Sequence, residues 1–221
     1  MKRIALNYGH TLPGTKGSGA KGFICESTEN REVGKLVKKY LEANGYEVID
    51  ATVDVSNSYL VEAVKKANAK AVDLSVSIHF NAGGGQGTEV LVYNTTGLAN
   101  EKAKAICSEI ASLGFKNRGV KKRTDLYWLK NTNSPALLVE CCFVDTKSDV
   151  DKYKKETMAK AIAQGIMGKK IANTNNTTTN TNATTYYRVV AGSYTSKANA
   201  QKLVDELKAK GYSAFIDIYK K

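Results

Sequence analysis

The stretch Leu74-Ser-Val-Ser-Ile-His-Phe-Asn81 alternates apolar with small polar residues and delivers a histidine near its end. A period of two puts every second side chain on one face, as expected of a strand packed against a core. Arg3-Ile-Ala-Leu-Asn-Tyr-Gly-His10 repeats the pattern near the start of the chain and also ends on a histidine. These are the two histidines the protein has. A third run, Ala136-Leu-Leu-Val-Glu-Cys-Cys-Phe143, is too apolar to alternate and reads as a strand buried on both faces, with Glu140 set inside it.

Helical patterns separate these strands. Val33, Leu36, Val37, Tyr40 and Leu41 recur at the spacing of one helix face, and Gly45 supplies a stop. The pattern predicts further strands over 46–53 and 89–93, a short one over Leu126–Leu129, and helices over 58–69, 99–113 and 152–167. Leu60, Val61 and Val64 are the expected inward face of the helix over 58–69. Regular alternation of strands and helices argues for an α/β fold, a mixed, mostly parallel sheet with helices on both faces. In such sheets ligands gather outside the carboxyl ends of the strands, where His10, His79 and Glu140 fall.

The chain has 221 residues, 42% of them hydrophobic, enough for one ordinary domain and a small appendage. Residues 173–185 are all Asn or Thr except Ala183, so they cannot bury enough surface to offset their ordering entropy and read as a linker. The expected domains are therefore 1–172 and 186–221. The second reads as one β-α-β unit: a strand over 187–194, a helix through Leu203 and Leu207, and a strand over 212–219. One such unit is too small to bury a stable core alone.

Cys25, Cys107, Cys141 and Cys142 lack CxxC spacing and read as free, mostly buried thiols. No apolar stretch approaches the roughly 18 to 20 residues a membrane span needs. Lys2 and Arg3 are followed by too short an apolar run for a signal peptide, so cytoplasmic synthesis is expected. A net charge of +12 favours an anionic partner: nucleic acid, a membrane surface or a cell-wall polymer.

Imidazole is the usual zinc ligand, and a catalytic zinc needs about three protein ligands and an open position. His10, Glu26 and His79 supply such a set. Zinc lowers the pKa of its bound water to about 7, and a further carboxylate is then wanted to move protons. Glu140 is the candidate, because an apolar strand raises a carboxyl pKa by desolvation. Each residue also has a plainer reading. A histidine after a strand is often a loop residue with a satisfied hydrogen bond, and Glu26 is one of several acids, with Glu29 and Glu32, that could cap or be solvated. Glu89 reads as structural, and no contiguous HExxH motif is present.

Tyr8-Gly-His-Thr11, Glu26 ahead of the first helix, Ser75-Val-Ser-Ile-His-Phe-Asn-Ala82, Gly87-Thr-Glu-Val-Leu-Val-Tyr93 and Pro135-Ala-Leu-Leu-Val-Glu-Cys-Cys-Phe-Val144 occur in the order seen in the zinc N-acetylmuramoyl-L-alanine amidases of the Amidase_3 type, which residues 1–170 resemble. The resemblance implies zinc on His10, Glu26 and His79, catalysis by Glu140, and cleavage of the amide between muramic acid and L-alanine in bacterial peptidoglycan. The usual Gly-His-Gly is Gly-His-Thr here, and Asn81 follows the family's His-x-Asn pattern.

Tyr187-Arg-Val-Val-Ala-Gly-Ser-Tyr194, Ala198-Asn-Ala-Gln-Lys-Leu203 and Leu207-Lys-Ala-Lys-Gly-Tyr212 resemble one half of a SPOR, or CwlC-type, wall-binding repeat, which implies peptidoglycan as partner and a homodimer that pairs two half modules. The resemblance fits a phage endolysin or a sporulation autolysin, released by a holin or by cell lysis. A zinc peptidase cutting the stem peptide, or a non-enzymatic wall- or nucleic-acid-binding protein, stays open as an alternative; no nucleic-acid module is recognisable.

Overall fold

The alternating segments around His10 and His79 become adjacent strands. In the computed structural model, which describes residues 2–171, 192–212 and 214–216, β1 (Arg3–Tyr8) is followed by α1 (Glu26–Ala43), β2 (Glu47–Asp50), α2 (Tyr59–Asn68) and β3 (Leu74–Asn81). Next come β4 (Thr88–Val92), α3 (Gly97–Ala111), β5 (Asn117–Lys122), α4 (Tyr127–Asn131), β6 (Ala136–Phe143), α5 (Lys147–Val150) and α6 (Lys155–Met167). The sheet order is β2-β1-β3-β6-β4-β5. Neighbours run parallel except β4 against β6, so the sheet is mixed and mostly parallel.

Each face of the sheet carries its own core. Val33, Val37 and Leu41 of α1 meet Ile106 and Ile110 of α3 and Ile162 and Ile166 of α6 over Leu6, Ile78 and Val139. Ala63, Val64 and Ala67 of α2 meet Trp128 and Leu129 of α4 over Ala5, Leu91 and Leu138. Each large aliphatic side chain sealed this way contributes roughly 1.5 to 3 kcal/mol. The small polar residues of β3 are buried too: Ser75 Oγ meets Ser134 Oγ at 2.7 Å, and Ser77 Oγ accepts from Asn7 Nδ2 at 2.9 Å.

Acidic residues Glu26 and Glu29 sit in the first turn of α1, where they favour the helix dipole. Past its end Gly45 takes a left-handed φ of 83°, which a residue without Cβ adopts freely. Of the cysteines, Cys107, Cys141 and Cys142 are buried and Cys25 is half-buried, all as free thiols. No helix among the described residues is long and apolar enough to cross a membrane.

Two expectations are corrected, and one further strand appears. The segment Leu126–Leu129, expected as a strand, enters the short helix α4. Val64 of α2 faces inward as expected, but Leu60 and Val61 are exposed, and Ala63 and Ala67 complete the buried face. An unexpected strand, β5, forms the sheet edge from the polar run Asn117-Arg-Gly-Val-Lys-Lys122.

The chain divides into two compact units, Met1–Ala172 and Asn173–Lys221. In the second, α7 (Lys197–Ala209) is the described helix, and Val204 is its buried residue. Tyr194, Tyr212 and Phe215 are exposed. The Asn/Thr linker over 173–185 and most of the strands expected over 187–194 and 212–219 lie outside the described residues; 192–194, 212 and 214–216 carry no regular secondary structure.

Helix α6 crosses α3 where Gly165 stands, and a Cβ there would lie 2.6 Å from Ile106 Cα. Backbone cannot yield as a flexible side chain would. Gly165→Ala gains about 1 kcal/mol of helix propensity but incurs roughly 1 to 3 kcal/mol of overpacking. The expected outcome is a lower urea midpoint than the parent, read by far-UV circular dichroism.

Candidate metal centre

Strand β1 ends at Tyr8, and Gly9 continues its pairing by donating to Ile78 O at 3.0 Å. The chain then turns at His10, whose φ of 62° is left-handed. Gly9 has to be glycine for lack of space: a Cβ would lie 2.3 Å from the His79 ring. Gly19, on the loop that returns past His10, is restricted in the same way, since its Cβ would lie 2.6 Å from Glu26 Oε2 and from the His10 ring. These two missing side chains let the loop and the strand close on one another.

Glu26 is the first residue of α1, and its side chain is nearly sealed from solvent. Its Oε1 lies 3.2 Å from His10 Nε2 and 3.1 Å from His79 Nδ1. Backbone amides hold the carboxylate from behind: Phe80 N donates to Oε1 at 3.1 Å and Ala20 N to Oε2 at 2.8 Å. The imidazoles meet edge to face with centroids 4.8 Å apart. One donor atom from each of His10, Glu26 and His79 lies within 4.8 Å of the others.

The outward nitrogens are also engaged. His10 Nδ1 donates to Gly17 O at 2.9 Å, which leaves Nε2 directed at Glu26. His79 Nε2 lies 3.0 Å from Ser77 Oγ, which can accept its proton when Nδ1 is the ligating atom. Metal-binding histidines commonly anchor their second nitrogen in this way. Two nitrogens and a carboxylate oxygen form a donor set suited to zinc, so the residues fit the ion.

In the protein without metal, electrostatics fix the carboxylate and pull the two imidazoles in opposite directions. Burial alone would raise the Glu26 pKa, but hydrogen bonds to His10 and His79 and their charges outweigh it and hold the carboxyl well below its ordinary range. Burial drives His79 down, against the pull of Glu26. His10 is desolvated as well, but its bond to Glu26 and the Gly17 carbonyl carry it above its ordinary value.

Glu140 is the register neighbour of His79 across β3 and β6, so the two side chains project to the same face. On its other side it stands opposite Glu89 of β4. Glu140 Oε2 is sealed from solvent and has no hydrogen-bond partner in the protein. Burial first, then the charges of Glu26 and Glu89, push its pKa up to about 8, against the opposing Arg123 guanidinium. Glu89 itself is held by Asn81 Nδ2 at 3.0 Å and Arg118 Nε at 2.8 Å. Asn81 is therefore more than a turn residue: it anchors Glu89 while its Oδ1 accepts from Ala82 N.

All four expected site residues thus meet at one end of the sheet. Two neighbours escaped the reading of the sequence. Ser77 stands two residues before His79, and the strand period alone puts it on the same face. Tyr59, whose ring lies 6.4 Å from that of His10, left no comparable signal.

Residues 4–173 match the family model for N-acetylmuramoyl-L-alanine amidases. The chain belongs to that family. A SPOR-domain model matches residues 149–217, but the part up to Ile171 lies in the first unit, whose core includes Met158, Ile162 and Ile166. Among relatives of this amidase-family chain, the sporulation-specific N-acetylmuramoyl-L-alanine amidase of Bacillus subtilis strain 168 is 30% identical, over 98% of this chain and 84% of that one. An uncharacterized protein of Clostridium perfringens strain 13 is 39% identical over 76% of this chain and 52% of its own length, so the chain spans about half of that relative. The catalytic domain of an endolysin targeting Clostridia difficile superposes with a TM-score of 0.71 at 29% identity, over 77% of this chain and 99% of that one.

A carboxyl group raised from 4.5 to about 8 keeps its proton in the folded state over a window where the unfolded chain has lost it. Across that window the folded state binds more protons, so stability falls as pH rises. In metal-free protein, Glu140→Gln should remove that loss, and the variant should be more stable than the parent at pH 8 by urea unfolding. Parallel pH profiles of the two proteins would contradict the assignment.

Proposed function

We propose that the protein hydrolyses the amide between N-acetylmuramic acid and L-alanine in bacterial peptidoglycan, with zinc held by His10, Glu26 and His79 and Glu140 as proton carrier. The observation that carries this is the convergence of two imidazoles on one buried carboxylate beside a second carboxyl group with one oxygen unpartnered, in a member of the amidase family. Zinc bound there would supply a Lewis acid for the amide carbonyl and make an adjacent water acidic.

The chain's own groups do the rest. Glu26 stays anionic and fixes the spacing of the imidazoles, while Gly17 O and Ser77 Oγ hold their outer nitrogens. Glu140, sealed from solvent beside the donor set, would take a proton at Oε2 and return it to the leaving nitrogen of L-alanine. The basic surplus of the chain draws it to anionic wall polymer. On this reading the enzyme meets the wall once a holin or cell lysis releases it.

The test pairs chelation with product analysis. Metal-free protein should lose wall lysis and regain it with zinc, and wall digests should show a new amino group on L-alanine; a new amino group elsewhere in the stem peptide would favour a peptidase. Glu140→Gln should keep the metal and lose about 10²- to 10⁴-fold in turnover, the usual worth of general acid-base catalysis. Lysis by chelated protein at full rate would reject the zinc mechanism.

The second unit, on the same proposal, binds glycan strands as half of a SPOR-like module and pairs with a second copy. Support comes from its single half repeat, from Val204 as the one buried side chain among its described residues, and from exposed Tyr194, Tyr212 and Phe215. Sedimentation equilibrium of the full chain should give a dimer mass that falls on dilution; a monomer at every concentration would reject the pairing.

A further inference from the structure

His10 is the one described residue other than glycine with a positive φ, 62°. Such a conformation is uncommon for a residue with a side chain and persists where its surroundings enforce it. The peptides on both sides of His10 are gripped from one turn of α1. Asn30 Nδ2 donates to Gly9 O at 3.0 Å, and Arg31 Nη2 donates to His10 O at 3.1 Å.

Arg31 is itself tied down. Its Nη1 donates to Ser27 O at 3.1 Å, and its Nε and Nη2 reach Asp54 Oδ1 at 3.0 and 2.9 Å. Asp54 O in turn accepts from Leu12 N at 2.8 Å, so the chain just past His10 is held to the same group. Asn30 is fully buried, and its Oδ1 has no partner. It lies on the helix stripe that continues as Val33, Val37 and Leu41, where an apolar residue would pack without leaving a polar atom unpaired. Its identified bond is the one to Gly9.

Glu26 lies one turn before Asn30 on the same helix. The element that supplies one donor atom of the site therefore also clamps the backbone of another. We propose that Asn30 and Arg31 are positioning residues of the metal centre: they hold the Gly9 and His10 peptides so that the His10 imidazole keeps its place beside Glu26 and His79. This rests on the His10, Glu26 and His79 metal reading and adds to it the residues that set the geometry.

The test measures zinc affinity of the full chain by competition with a chromophoric chelator, alongside the thermal midpoint of the metal-free protein. Asn30→Leu keeps the branched shape, at a larger volume, and removes the donor to Gly9 O. Arg31→Lys keeps the charge but gives up the fork that spans His10 O and Asp54. Each should weaken zinc binding about 10- to 100-fold, the usual cost of losing an outer-shell partner. Val37→Ala, on the same stripe but away from the site, should lower the thermal midpoint and leave affinity unchanged. Should Asn30→Leu fail to fold, Asn30→Ala makes the same measurement.

Zinc bound by both variants as tightly as by the parent overturns the inference while the metal centre stands. An equal loss in Val37→Ala overturns it too, because general destabilisation would then account for the effect. A parent chain that takes up no zinc removes the metal-centre reading and this inference with it.

Discussion

The arrangement depends on one carboxylate, Glu26, buried at the start of α1 with an imidazole on each side. A buried anion without partners would destabilise the fold, so the structure surrounds it with backbone amides from Ala20 and Phe80 as well as the two rings. That requirement brings together three parts of the chain: the loop after β1, the first turn of α1 and the end of β3. The fold positions them, and the two glycines at 9 and 19 let them approach.

The sheet topology then decides what stands beside this centre. β6 runs parallel to β3 and puts Glu140 next to His79; β4 returns antiparallel and puts Glu89 opposite Glu140. Two acids face one another, and their partners differ. Glu89 is met by Asn81 and Arg118, whereas Glu140 has one oxygen with nothing to accept from. A proton on Glu140 relieves that tension, which is the condition for a group that exchanges protons near neutral pH.

Much of this was legible from the sequence where burial leaves a pattern. β1 and β3 showed as alternation because one face packs against α1 and the other holds small residues such as Ser75 and Ser77. β6 showed as an unbroken apolar run, and Glu140 stood out as an acid inside it. The edge strand β5 did not show, since Asn117-Arg-Gly-Val-Lys-Lys122 has neighbours on one side only and little need of apolar residues. Four residues from Leu126 to Leu129 were too few to separate a strand from a turn of helix. The face of α2 was misjudged by weighting size over spacing: alanines at 63 and 67 face inward, and Leu60 and Val61 do not. Within the site, the histidines were visible at strand ends. Register was not, so the opposition of Glu89 and Glu140 and the grip of α1 on His10 emerged only with coordinates.

The two adjacent cysteines of β6 are packed into the core. Cys141 directly follows Glu140, and the strand period turns it away from that side chain into the core. Burial raises the thiols of Cys141 and Cys142 far above their ordinary range, so both remain protonated. Thiols that are protonated and sealed from solvent are poor nucleophiles and react slowly with oxidants. The strand that carries Glu140 is, in redox terms, inert.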